Sequence, residues 1–322
     1  MIRYCIQRSL QVIPTLLLVS FMVFMLTHLI PGDPVATMLG YTSEGMASGA
    51  YSQESYDEMT KKLGFDRPIY VQYGNWLGNV MQGEWGDSFV SGMKVTDVIK
   101  ARIPTSGALA LASFTLALLI SVPIAILSAT RQNTWMDYFA RLFSLLGVCI
   151  PSFWLALLLI LFFCIYLGWF PALGYVAPQD DFVRFLKHLT LPMTVLAVHT
   201  AAKVVRFMRS DVIEQLHQDY VRTARSKGMP RRWILWRHVL KNSFITTTTV
   251  LAFEIGHLLG GSTVIESVFA WPGISYLLLQ SIYARDYPVV QGAVMVMALA
   301  VITINFVVDV VYHLLDPRIK LQ

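Results

Sequence analysis

Five apolar stretches, 9–30, 106–129, 142–170, 244–264 and 289–315, are each long enough to cross a hydrocarbon core of about 30 Å as a helix. Lipid offers no hydrogen-bond partners, so a spanning segment must satisfy its backbone internally, and uninterrupted runs of this length do so as helices. A sixth run, 189–205, is shorter and more polar, and is read as a marginal span. Composition agrees, with 55% hydrophobic and only 14% charged residues, against about a quarter charged in soluble proteins. The expectation is an all-α polytopic membrane protein with six transmembrane helices. The first run follows Arg3 and Arg8 as a secretory signal would. It is too long for one, however, and no small-residue cleavage site precedes Pro31-Gly32-Asp33-Pro34, so residues 1–30 are read as an uncleaved N-terminal anchor.

Charge sets the expected orientation. Residues 203–241 carry ten Lys and Arg against three carboxylates, too polar a segment to enter lipid. The positive-inside rule places it in the cytoplasm together with Arg3, Arg8, Arg131, Arg318 and Lys320, so both termini are cytoplasmic. Residues 31–103 hold nine carboxylates against six Lys and Arg and form the one large extracytoplasmic segment. There 53–62 reads as a short helix and Gly83-Glu84-Trp85-Gly86-Asp87-Ser88 as a turn. The formal charge of +5 is explained by cytoplasmic loops, so nucleic acid is not an expected partner. Cys5, Cys149 and Cys164 have neither disulfide nor metal-site spacing and are read as buried packing residues. Pro123, Pro151 and Pro192 fall inside predicted spans, as kinks or packing features.

Within the basic loop, 214–227 is rich in helix formers and stops at Gly228, with Pro230 beyond it, a helix-end pattern. On such a helix Tyr220 and Ala224 share a face, and Arg222 and Arg225 stand three apart, spaced to pair with carboxylates of a partner. A loop of this kind can fix topology, touch anionic lipid, or dock a protein. Residue order then adds specificity. Asp219-Tyr220-Val221-Arg222-Thr223-Ala224-Arg225-Ser226-Lys227-Gly228, followed by Arg237-His238-Val239-Leu240-Lys241-Asn242, resembles the EAA-type loop of bacterial ABC importer permeases. The first-permease subunits of dipeptide, oligopeptide, glutathione and nickel importers are the most similar branch. Leu63-Gly64-Phe65-Asp66-Arg67-Pro68, Glu266-Ser267-Val268-Phe269-Ala270-Trp271-Pro272-Gly273, Arg285-Asp286-Tyr287-Pro288 and Asp316-Pro317-Arg318-Ile319 extend the resemblance over the whole chain.

The resemblance implies a type I, MetI-like ABC importer transmembrane domain in a bacterial inner membrane. Its permease core would be 104–316, with the EAA-type loop at 203–242, an extracytoplasmic insertion at 31–103 between the first two helices, and a cytoplasmic tail at 317–322. The implied partners are a second related permease, two ATP-binding subunits, and a periplasmic or extracellular substrate-binding protein. ATP and Mg would reside in those ATPase subunits, with no cofactor or metal on this chain and no catalytic residue. Asp219, Tyr220, Arg222, Thr223, Ala224, Arg225 and Gly228 are the expected ATPase-coupling residues, and the implied cargo is a small peptide or chelated nickel.

The residues themselves fit transport better than catalysis. There is no GxxxxGK[ST], HExxH or GxSxG sequence, so the chain has no usual phosphate loop, zincin motif or nucleophile elbow. In the fifth span Glu254 and His257 lie three apart on one helix face. They are either a polar wall of the substrate pathway or a structurally satisfied pair. Asp309 is read as pairing with a nearby Arg, and His188 as a local cap that shares a face with His199. The reading from another class is an ion-driven secondary transporter or a membrane-embedded enzyme, and copurification with an ATPase separates the two.

Overall fold

The computed structural model describes residues 2–29, 56–58, 60–61, 66–260 and 262–315, and among these the secondary structure is helical. The helices are α1 (Ile2–Leu29), α2 (Ile69–Met81), α3 (Val95–Lys100), α4 (Ile103–Thr130), α5 (Trp135–Cys149) and α6 (Ser152–Leu159), which runs on into a π-helical stretch, Ile160–Tyr166. They continue as α7 (Phe182–Leu216), α8 (Asp219–Ser226), α9 (Arg231–Ile234), a second π-helical stretch (Leu235–Val239), α10 (Leu240–Gly260), α11 (Thr263–Val268), α12 (Ile274–Tyr283) and α13 (Tyr287–Leu315). Residues 56–58 and 60–61 of the short helix expected at 53–62 are helical, and the rest of that segment lies outside the described residues.

Two corrections concern the spans. The run expected as one span over 142–170 is two helices that meet at 103°. Pro151 causes the break: it forces Ile150 into an extended conformation with ψ 122° and removes the backbone donor that would continue α5. The run judged marginal at 189–205 is the middle of a continuous 35-residue helix, α7. It is interrupted neither at Pro192 nor at its Lys and Arg residues. By length and apolarity, Val95–Thr130, Phe182–Leu216 and Tyr287–Val308 can each cross a membrane, and the bent pair counts as a fourth when its two helices are taken as one broken span rather than a re-entrant loop. The six-span reading takes the other two from α1 and α10, where Lys241, Asn242, a run of threonines, Glu254 and His257 dilute the apolar content.

Internal contacts divide the chain into two units. One comprises Thr105–Pro272 with the chain from Ala300 onward. In it α4 turns a stripe of small residues inward, Ser113, Ala117, Ser121, Ala125, Ser128 and Ala129, while Leu111, Leu119 and Leu127 face outward. Small residues let helices approach closely where lipid supplies no hydrophobic drive between them. Ala117 accordingly packs on Ala197 and Ala201 of α7. At one end of this unit Trp271 is fully buried against Tyr175 and Phe185, and its indole nitrogen donates to the Thr105 carbonyl at 3.1 Å. The neighbouring Glu266, also fully buried, accepts from Ser262 at 2.9 Å and Ser106 at 3.3 Å. At the other end Ala125, Ala129, Met208 and Val212 enclose residues of the basic loop.

The second unit joins Ile2–Pro104 to Gly273–Leu299. Here α2 docks on α1 through Ser20, whose hydroxyl lies 2.9 Å from that of Tyr73, and through the rings of Phe21, Phe24, Tyr73 and Trp76. The expected turn at 83–88 is present and uses left-handed Gly83 and Gly86. Ser88 and the Phe89 amide both bond the buried carboxylate of Asp286, which fastens this loop to the start of α13. Val95, Ile99, Leu277 and Val289 form the core beneath it.

Candidate functional site

The basic loop is shorter than the charge run implied. α7 extends to Leu216, the chain turns at His217 and Gln218, and α8 begins at Asp219, so the helix expected over 214–227 is broken in two. The predicted stop holds: Gly228 is left-handed, with φ 73°, and the Met229 amide closes back onto the Ala224 carbonyl at 3.2 Å. A side chain at Gly228 would meet nothing within 4 Å, so the turn conformation, rather than crowding within this chain, favours glycine there.

The two faces of α8 differ sharply. Val221 is fully buried and Ala224 is 7% exposed, both packed on α4, α7 and Ile234 of α9. Tyr220 is half-buried beside them, with its hydroxyl donating to Gln215 Oε1 at 2.8 Å. Asp219, Arg222, Thr223, Arg225 and Ser226 are exposed, and Asp219 and Arg222 approach each other at 3.6 Å. Tyr220 and Ala224, read from the sequence as sharing one face, both lie on the side of α8 that packs on its own chain. The solvent surface belongs to the charged and hydroxyl residues.

Beneath α8 lies a polar node that sequence reasoning missed. Asp137 of α5 is wholly buried and accepts from Arg209 Nε at 2.7 Å, Arg209 Nη2 at 3.1 Å, Arg141 Nη2 at 2.6 Å, Ser128 Oγ at 2.6 Å and the Asn133 amide at 3.0 Å. One carboxylate therefore ties α4, α5 and α7 together, with every acceptor site used. Arg231 of α9 adds a bond to the carbonyl of Thr130, the last residue of α4, at 3.1 Å. The segment after Gly228 is thereby held to the same end of the helices. Only the Asp137 and Arg141 spacing of four was visible in the sequence. The Arg209 contact depends on how α5 and α7 cross.

Glu254 is 7% exposed, and its partner is Lys203 of α7, with Nζ at 3.0 Å from Oε1 and 3.2 Å from Oε2. His257 is exposed, and its ring lies 6.4 Å from that of His199. His199 Nδ1 sits 3.0 Å from the Gly147 carbonyl. Lys203, Glu254, His199 and His257 thus form a polar strip between α7 and α10, wider than the Glu-His pair read from the sequence. His188 bonds the Arg184 carbonyl of its own helix at 2.8 Å, a local contact as expected. Cys149 is exposed rather than buried, and Cys164 is half-buried; both are unpaired. Among the described residues no group of three or more His, Cys, Asp or Glu could hold a metal ion. The side chains of Cys5 and Asp309 lie outside the described residues.

Residues 121–321 match the family described as binding-protein-dependent transport system inner membrane component, and residues 1–110 match the N-terminal family that accompanies it. The chain belongs to this permease family. Its likeness to other permeases is full-length. A putative peptide permease protein of Brucella suis is 39% identical, with 99% of each chain covered. The oligopeptide transport system permease protein AppB of Bacillus subtilis is 38% identical, covering 99% of this chain and 100% of that one. The glutathione transport system permease protein GsiC of Salmonella typhimurium is 37% identical, with 99% of each covered. Among solved structures, the inward-facing MetNI methionine ABC transporter aligns with a TM-score of 0.54 over 68% of this permease and 96% of that chain, at 16% identity. The permease therefore has the type I ABC importer fold.

Proposed function

We propose that this permease forms half of the transmembrane pathway of an ATP-driven importer of small peptides, and that it receives motion from a separate ATPase through the exposed face of α8. The carrying observation is the two-sided build of that helix. Val221 and Ala224 are locked into the α4 and α7 core, while Arg222, Thr223, Arg225 and Ser226 face outward. A push on the outer face reaches the membrane helices through close packing rather than through a pliant loop. The chain has no phosphate-binding loop, so the nucleotide belongs to partner subunits, as does capture of cargo by a binding protein. Both termini and the 203–242 loop face the cytoplasm on this reading.

Peptide is preferred to nickel on chemical grounds as well as likeness. Glu254 already has a cation, Lys203, against it, an arrangement that disfavours a divalent metal and suits a passage for zwitterionic cargo. The strip formed with His199 and His257 is the candidate pathway wall.

Reversing two exposed charges tests the docking face. Arg222→Glu with Arg225→Glu leaves the buried side of α8 intact, so the permease inserts and reaches normal levels. Uptake of a labelled dipeptide by proteoliposomes of the whole importer should fall at least about tenfold, in line with the loss of two interfacial charge pairs. Normal ATP-driven uptake by the double variant would remove α8 from the coupling path.

A further inference from the structure

We infer that the segment between α9 and α10 carries a binding site for the phosphodiester headgroup of an anionic phospholipid. Trp233, Trp236, Arg237, His238, Lys241 and Asn242 line an open groove of about 870 Å3. The groove lies where the chain passes from the basic loop into α10, which the six-span reading takes as a membrane helix, so that its lining would sit at headgroup depth. Both indoles stand out from the protein, Trp233 at 46% and Trp236 at 67% exposure. Tryptophan favours that boundary because its ring is apolar and its N–H can bond a polar headgroup.

The interior of the groove is built for an anion. The Arg237 guanidinium lies 5.3 Å over the Trp233 ring, within cation–π reach, and the His238 ring is 5.6 Å from the same indole. His238 also lines the groove, and its Nε2 is buried with no hydrogen-bond partner within the protein. Between Asp219 and Glu254 the chain has seven Lys and Arg and no carboxylate. Among the described residues Arg237 and Lys241 belong to none of the ion pairs. A phosphodiester complements this lining: two charged oxygens for Arg237 and Lys241, an acceptor for Asn242, and a glycerol backbone to lie between the indoles. Occupancy would brace the junction that links α8 to α10.

The site rests on the cytoplasmic placement proposed above, and the test keeps the two apart. The complete importer, carrying the photoreactive residue benzoylphenylalanine in place of Trp236, is reconstituted in nanodiscs of equal parts phosphatidylglycerol and phosphatidylcholine, irradiated, and its adducts weighed. Nanodiscs present both leaflets, so this reading is independent of sidedness, which thiol labelling at position 226 reports separately. The expected result is a predominant phosphatidylglycerol adduct. It should fall about fivefold for each of Arg237→Gln and Lys241→Gln, the effect of one interfacial charge, with copurification of the other subunits unchanged. Equal adducts from the two lipids, crosslinking to an ATPase or a second permease, or displacement of the lipid adduct by millimolar glycerol phosphate would each overturn the site.

Discussion

At the scale of single residues, burial makes ionic groups conditional on their partners. Asp137 shows this most clearly: removing water from a carboxylate is costly, and Arg209, Arg141, Ser128 and the Asn133 amide together offset it. Asp137→Ala strands Arg209, whose side chain is only 19% exposed. The loss should be about 3–5 kcal/mol, the usual effect of breaking a buried pair from one side. It would be read as a clear drop in melting temperature of the detergent-purified protein. Asp137→Leu with Arg209→Met removes both charges and should recover most of that loss. If the single variant melts like the parent, the node contributes nothing to stability. Lys203 of α7 and Glu254 of α10 obey the same rule.

At the scale of elements, close approach decides which helices pair. Gly147 of α5 sits against α7 so tightly that an added Cβ would come within 2.5 Å of the Ala202 Cβ and 3.5 Å of the Val198 carbonyl. The Gly147 carbonyl also meets His199 there. Gly147→Leu must therefore separate α5 from α7, at about 1–3 kcal/mol by ordinary overpacking. Because the Asp137 node spans the same two helices, the variant should also become sensitive to trypsin at Arg141 and Arg209. A protease pattern and melting temperature identical to the parent would show that the crossing tolerates bulk. Gly228 is the contrasting case, since its surroundings are open and only its left-handed turn selects glycine.

At the scale of the whole molecule, the distribution of Lys and Arg makes a sidedness prediction. Ser91 and Ser226 are both exposed, and they lie in the segments assigned to opposite sides of the membrane. In intact cells an impermeant maleimide should label Ser91→Cys and spare Ser226→Cys until the membrane is opened, when both react. Labelling of Ser226→Cys from outside would invert the orientation and with it the coupling role of α8. The full-length likeness to peptide and glutathione permeases makes the family secure independently of that result.

The linear order of residues determined what depends on local chemistry and gross polarity. Long apolar runs can only be helices in lipid, Gly228 followed by Pro230 can only end one, and Pro151 marks the place where a span fails to continue. The motif order from Asp219 to Asn242 likewise carried the family. Tertiary structure decided everything that depends on a partner distant in sequence. It made 189–205 the centre of a continuous 35-residue helix, in which Asp137 and Glu254 arrive from other helices to neutralise Arg209 and Lys203. It also turned Val221 and Ala224 inward, since the small-residue stripe of α4 leaves room for them. Hydropathy scores a charged residue as an obstacle to burial, whereas the fold scores the pair, and only the helix crossings specify the pair.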